Sequence, residues 1–81
     1  REVAINYKAY PEELLNLLAN ASDYKIEYFG KKPPIGKVVN LDPEPRNIKR
    51  HIDDIEFQAE NYIRKVDIYE DTKLIHVYYR Q

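Results

Sequence analysis

Tyr62-Ile63-Arg64-Lys65-Val66-Asp67-Ile68-Tyr69-Glu70-Asp71-Thr72-Lys73-Leu74-Ile75-His76-Val77-Tyr78-Tyr79-Arg80 reads as a β-hairpin, and the rest of the chain is interpreted around it. β-Branched and aromatic residues fill both arms, and these fit a pleated, half-buried surface. Setting Glu70 opposite Lys73 pairs Ile68 with Ile75, Val66 with Val77 and Arg64 with Tyr79 on one face. The other face then pairs Tyr69 with Leu74, Asp67 with His76, Lys65 with Tyr78 and Ile63 with Arg80. An aliphatic face opposite a polar and aromatic one is the pattern of an antiparallel pair with one side on a core. A slip of one residue would mix the faces, so the register is well specified. Asp71-Thr72 makes a weak two-residue turn, because Gly is favoured at the second place. A four-residue Glu70–Lys73 loop keeps the same register.

Working outward, Val3, Ile5, Tyr7 and Ala9 alternate with Ala4, Asn6 and Lys8 and predict a first strand. Tyr10-Pro11-Glu12-Glu13 opens a helix: proline suits the first turn, and two acids there complement the helix dipole. Leu14, Leu17, Leu18 and Ala21 form its predicted apolar stripe, widened by Leu15, and Asn20 to Ser22 ends it. Tyr24, Ile26 and Tyr28 predict a second strand. Gly30 to Gly36 holds both glycines of the chain and the pair Pro33-Pro34, so it must be a loop. Lys37 to Leu41 predicts a short third strand. Ile48, Ile52, Ile55 and Ala59 repeat at spacings of four, three and four, predicting a helix from about Arg46 to Glu60. The competing pattern is a strand alternating through Ile55, Phe57 and Ala59.

The expected fold is a single α+β domain over residues 1–81, in the order β-α-β-β-α-β-β. It would be an antiparallel sheet with two helices on one face. This is a ferredoxin-like split β-α-β arrangement with one added C-terminal hairpin strand. A chain that starts at Arg1 rather than Met is expected to be a fragment or accessory domain of something larger.

Composition excludes several classes. The 81 residues contain no Cys, so disulfides and thiolate zinc sites are ruled out, and a cytoplasmic setting is expected. No run of about 18 apolar residues exists, so no membrane span is expected. Net charge is −1, yet residues 31–51 carry six bases against two acids, followed by Asp53, Asp54, Glu56 and Glu60. Such asymmetry allows an anion-binding patch without the strong basicity of a dedicated duplex-DNA binder.

An enzyme is not expected. Ser22 and Thr72 are the lone serine and threonine, and both fall at turns with no pairing to a His and an acid. His51, Asp53, Asp54 and Glu56 cluster on the second helix, and His51 shares a face with Asp54. A second His is missing nearby, so a solvated helix face is expected and no metal or cofactor. Tyr78 and Tyr79 are adjacent in a strand, point to opposite faces and read as packing residues. The Gly30–Gly36 loop lacks the Gly-Lys-Ser/Thr ending of a phosphate loop. The polar hairpin face shows Lys65, Tyr69, His76, Tyr78 and Arg80, a mixture of aromatics and bases that can stack unpaired bases.

The run from Tyr62 to Asp71, continued by Ile75-His76-Val77-Tyr78-Tyr79, resembles the C-terminal hairpin of large serine recombinases. The resemblance covers about twenty residues; the family's zinc-ribbon cysteines, long coiled-coil helix and catalytic domain are absent. It implies an accessory, non-catalytic part of a DNA-binding region from a mobile element or phage.

The leading expectation is therefore a nucleic-acid-associated domain with salt-sensitive binding to DNA or RNA. Its contacts would be Lys31, Lys32, Lys37, Lys49 and Arg50, assisted by Lys65, Tyr78 and Arg80. The alternative is a protein-interaction module, either a phage-type inhibitor or a self-associating subunit. Tyrosines suit interfaces, and Lys73 to Arg80 would offer a sheet edge for a protein partner or homodimer.

Overall fold

The structure, a computed structural model, describes residues 7–34, 36–41 and 47–80. Among them the order is β1 (Tyr7–Ala9), α1 (Pro11–Ala21), β2 (Lys25–Phe29), β3 (Val39–Leu41), α2 (Ile48–Gln58), β4 (Ile63–Tyr69) and β5 (Leu74–Tyr79). This is the α+β class and the β-α-β-β-α-β-β order that the sequence implies. Val3, Ile5 and Arg46 lie outside the described residues.

The hairpin forms with the expected pairs Lys65–Tyr78, Val66–Val77, Asp67–His76, Ile68–Ile75 and Tyr69–Leu74. Glu70 to Lys73 make a four-residue turn. Lys73 closes it at φ 58°, in the left-handed region. One end departs from the alternation. A bulge between Ile63 and Lys65 sets Ile63, not Arg64, opposite Tyr79. The extra residue lets fully buried Ile63 turn to the core and ejects Arg64 to the surface. Unbulged pairing would have put a guanidinium among aliphatic side chains, at the cost of desolvating a charge.

Strand pairing differs from the ferredoxin-like expectation. The three-stranded sheet has the order β2-β5-β4, with β5 antiparallel to β4 but parallel to β2. β1 and β3 form a separate antiparallel ribbon. The loop after β2 explains the split. Gly30 turns the chain at φ 94°, and Pro33-Pro34 follows without ladder donors. β3 is thereby carried away from β2 and pairs with β1. α2 contacts both β3 and β4 and joins the two sheets, while α1 packs on α2 and β2.

The core takes Leu14, Leu15 and Ala19 from α1, Ile52, Ile55 and Ala59 from α2 and its cap, and Ile63, Ile75, Val77 and Tyr79 from the hairpin. Burial of each large aliphatic side chain contributes about 1.5–3 kcal/mol. The helix reading of residues 48–58 holds: Asn47 caps α2 by accepting the Arg50 N–H at 2.9 Å. Phe57, which a strand would bury beside Ile55 and Ala59, is 71% exposed. The stripe of α1 is rotated from the expected one. Leu14, Leu15 and Ala19 are buried, whereas Leu17 and Ala21 face solvent.

Candidate functional site

β5 divides the aromatic residues between two faces. Ile75, Val77 and Tyr79 point to the helices and are buried; Leu74, His76 and Tyr78 point away and are half-buried. The adjacent tyrosines Tyr78 and Tyr79 thus serve opposite faces, as strand geometry demands.

On the inner face Tyr79 lies between Tyr28 and Tyr62. The ring centroids are 6.0 and 6.4 Å away and the planes nearly parallel. The Tyr79 hydroxyl donates to Glu12 Oε2 at 2.8 Å, and the Tyr28 hydroxyl donates to Asn16 Oδ1 at 2.9 Å. These bonds tie β5 and β2 to the first turns of α1. Burial, reinforced by the Glu12 carboxylate, pushes both phenols well above the ordinary tyrosine range. They are locked in the neutral form and act as packing and tethering groups.

The outer face is different. Phe29 from β2, Tyr69 from β4, and His76 and Tyr78 from β5 make one contiguous aromatic surface. Phe29 stacks on Tyr78 at 5.1 Å and meets His76 edge-on at 5.0 Å, and Tyr69 meets His76 from the other side at 5.0 Å. Above the Tyr78 ring sit the Lys65 ammonium at 5.0 Å and the Arg64 guanidinium at 5.3 Å. Lys65 is bridged to Asp67 at 3.3 Å. No described element covers this face. Tyr69 and His76 lie on the polar hairpin face that the sequence predicts, and Phe29 joins them from β2. Phe29 shares the face of Lys25 and Glu27, and Tyr69 shares that of Lys65 and Asp67.

The eight expected nucleic-acid contacts are distributed over a loop, a helix and the hairpin. Lys31, Lys32 and Lys37 are exposed in the loop after β2. Lys49 and Arg50 are exposed in the first turn of α2, where Lys49 pairs with Asp53 at 3.5 Å. Arg80 donates its Nε–H to the Glu60 carbonyl. Only Lys65 and Tyr78 are brought into contact. His51 is not on a solvated face as expected. It is buried, and its Nδ1 has no hydrogen-bond partner among the described residues. There, no group of three or more His, Asp or Glu could hold a metal ion.

The strand edges also differ. β5 is central, so the segment from Lys73 to Arg80 offers no open edge, contrary to expectation. The β3 edge is occupied: Asn40 donates its N–H to Gln58 Oε1 at 2.9 Å and accepts from Gln58 Nε2 at 2.7 Å. The β4 edge is broken by the bulge at Arg64, and its Val66 N–H is directed at the Glu56 carboxylate. Burial nevertheless raises the Glu56 pKa, outweighing that N–H. Among the described residues, nothing of either kind meets the β2 edge.

Residues 1–79 match the family model described as DotD protein. The chain belongs to the DotD family. That family comprises lipoprotein components of a bacterial type IV secretion system, which work within a complex and so have protein partners. No curated protein matches the sequence at a significant level. The DotD match overturns the recombinase resemblance, which rested on about twenty residues. Alternating Ile, Val and Tyr with interspersed acids is common to any hairpin with one polar face. The DNA- or RNA-binding role and the mobile-element or phage origin fall with it. Among the described residues no helix is long and apolar enough to cross a membrane.

Proposed function

We propose that the chain is a non-enzymatic protein-interaction module of a bacterial secretion assembly, meeting its neighbours through the outer face of the three-stranded sheet. The carrying observation is the uncovered aromatic surface of Phe29, Tyr69, His76 and Tyr78. Tyrosine, phenylalanine and arginine are the residues that interfaces concentrate, because large rigid rings give contact area at low entropic cost. Arg64 and Lys65, resting on Tyr78, supply a polar rim. DotD membership supports a multi-protein setting, and its lipoprotein character favours a membrane-associated site over the cytoplasm. The non-enzymatic reading rests on Ser22 at the end of α1 and Thr72 in the exposed turn, neither set in a nucleophile–base pair.

The test is co-purification with the tagged secretion assembly from cells producing a Phe29→Ser/Tyr69→Ser variant. About tenfold less of the variant should be recovered, with its circular dichroism unchanged. Recovery equal to the unmodified chain would reject the reading.

A further inference from the structure

We infer that two copies of this chain pair antiparallel through β2, joining their three-stranded sheets into one of six strands. This deepens the interaction-module reading and rests on it. Backbone geometry carries the first step. The Lys25 N–H donates to the Lys73 carbonyl at 2.9 Å, on the β5 side of β2. In a parallel ladder alternate residues face the same neighbour, so Lys25, Glu27 and Phe29 direct their amides at β5. Ile26 and Tyr28 therefore present N–H and C=O outward, along an edge that has no strand beside it among the described residues. The edges of β3 and β4 are occupied by Gln58 and Glu56 from α2, whereas none of the described residues guards this one.

Charge selects the occupant and the register. Outward-facing residues must oppose one another, which leaves few two-fold pairings of Lys25-Ile26-Glu27-Tyr28-Phe29. Centring on Glu27 opposes two like carboxylates. Centring on Tyr28 opposes Lys25 with Lys31 of the second copy. Centring on Ile26 opposes Lys25 with Glu27 twice, placing two complementary ion pairs on the outer face. The same register opposes Tyr24 with Tyr28 on the inner face. It lets the two Ile26 residues exchange both backbone hydrogen bonds, and each Tyr28 N–H reach the Tyr24 carbonyl opposite. The Tyr24 N–H is already bound to the Ala19 carbonyl at 2.8 Å, so the pairing ends there. Of the pairings centred on Ile26, Glu27 or Tyr28, this one alone opposes unlike charges on both sides.

Sedimentation equilibrium of the purified chain and its charge variants tests this. Lys25 and Glu27 are both exposed, so changing them leaves the core intact. The unmodified chain should dimerise reversibly. Lys25→Glu and Glu27→Lys should each weaken the dimer by about tenfold, and the swap Lys25→Glu/Glu27→Lys should restore it. A strictly monomeric chain at millimolar concentration overturns the inference, as does a dimer indifferent to the single changes or not rescued by the swap. Either result leaves co-purification with the secretion assembly untouched, so failure of the dimer and failure of the interaction module are read separately.

Discussion

The inner and outer faces of β5 are built from the same kinds of residue and do opposite work. Inside, Tyr79 is 4% exposed, and its hydroxyl is hydrogen-bonded to Glu12. Outside, one residue away, Tyr78 stacks on Phe29 beneath Lys65 and Arg64, with no described element above them. The difference teaches that aromatic content alone does not mark a core. Tyr28 and Tyr79 have their hydroxyls hydrogen-bonded within the fold, whereas the outer rings of Phe29 and Tyr69 keep open surface.

The contrast is broken most severely by Ile75→Ala. Ile75 is fully buried beside Ile68 and Ile26. Urea denaturation should show a loss of about 2–5 kcal/mol, enough to threaten a domain this small. Tyr79→Phe keeps the ring and removes only the bond to Glu12, so a loss of about 1 kcal/mol is expected by the same measurement.

Alkaline titration sharpens the comparison without mutation. The folded pKa values of Tyr28 and Tyr79 lie above the unfolded value near 10.0. Above that pH the unfolded chain loses protons that the native chain keeps. The stabilisation is complete below pH 10 and declines as pH rises beyond it. The urea midpoint should therefore fall between pH 9 and pH 11. In Tyr79→Phe the fall should be smaller. The smallest effect on stability belongs to Phe29→Ser/Tyr69→Ser, expected to cost only about 0.5 kcal/mol per site in thermal unfolding while lowering recovery with the assembly about tenfold.

Much of this architecture is legible in the sequence. The pairing from Lys65 to Leu74 follows from where Ile68, Val66, Ile75 and Val77 must go. The α2 stripe follows from the spacing of Ile48, Ile52, Ile55 and Ala59. The bulge is not legible, because an alternating pattern cannot announce that Arg64 is skipped; only the competition of Ile63 for the core decides it. Strand partners are not legible either. Alternation in Lys25–Phe29 specifies faces, not whether the neighbour runs parallel, and β2 is set beside β5 by long-range packing. At the outer surface the hairpin alternation places Lys65, Tyr69, His76 and Tyr78 on one face, but it cannot place Phe29 there, because that depends on β2 lying beside β5. The apolar members of a mixed face carry as much information as its bases.

Hydroxyl-radical footprinting of the isolated chain and of the same chain within the secretion assembly tests the central claim most directly. Phe29, Tyr69 and Tyr78 should react in isolation and become protected on assembly, while Tyr79 stays unreactive in both. Equal reactivity of the three outer rings in the free and assembled states would contradict the assignment of this face to protein contact.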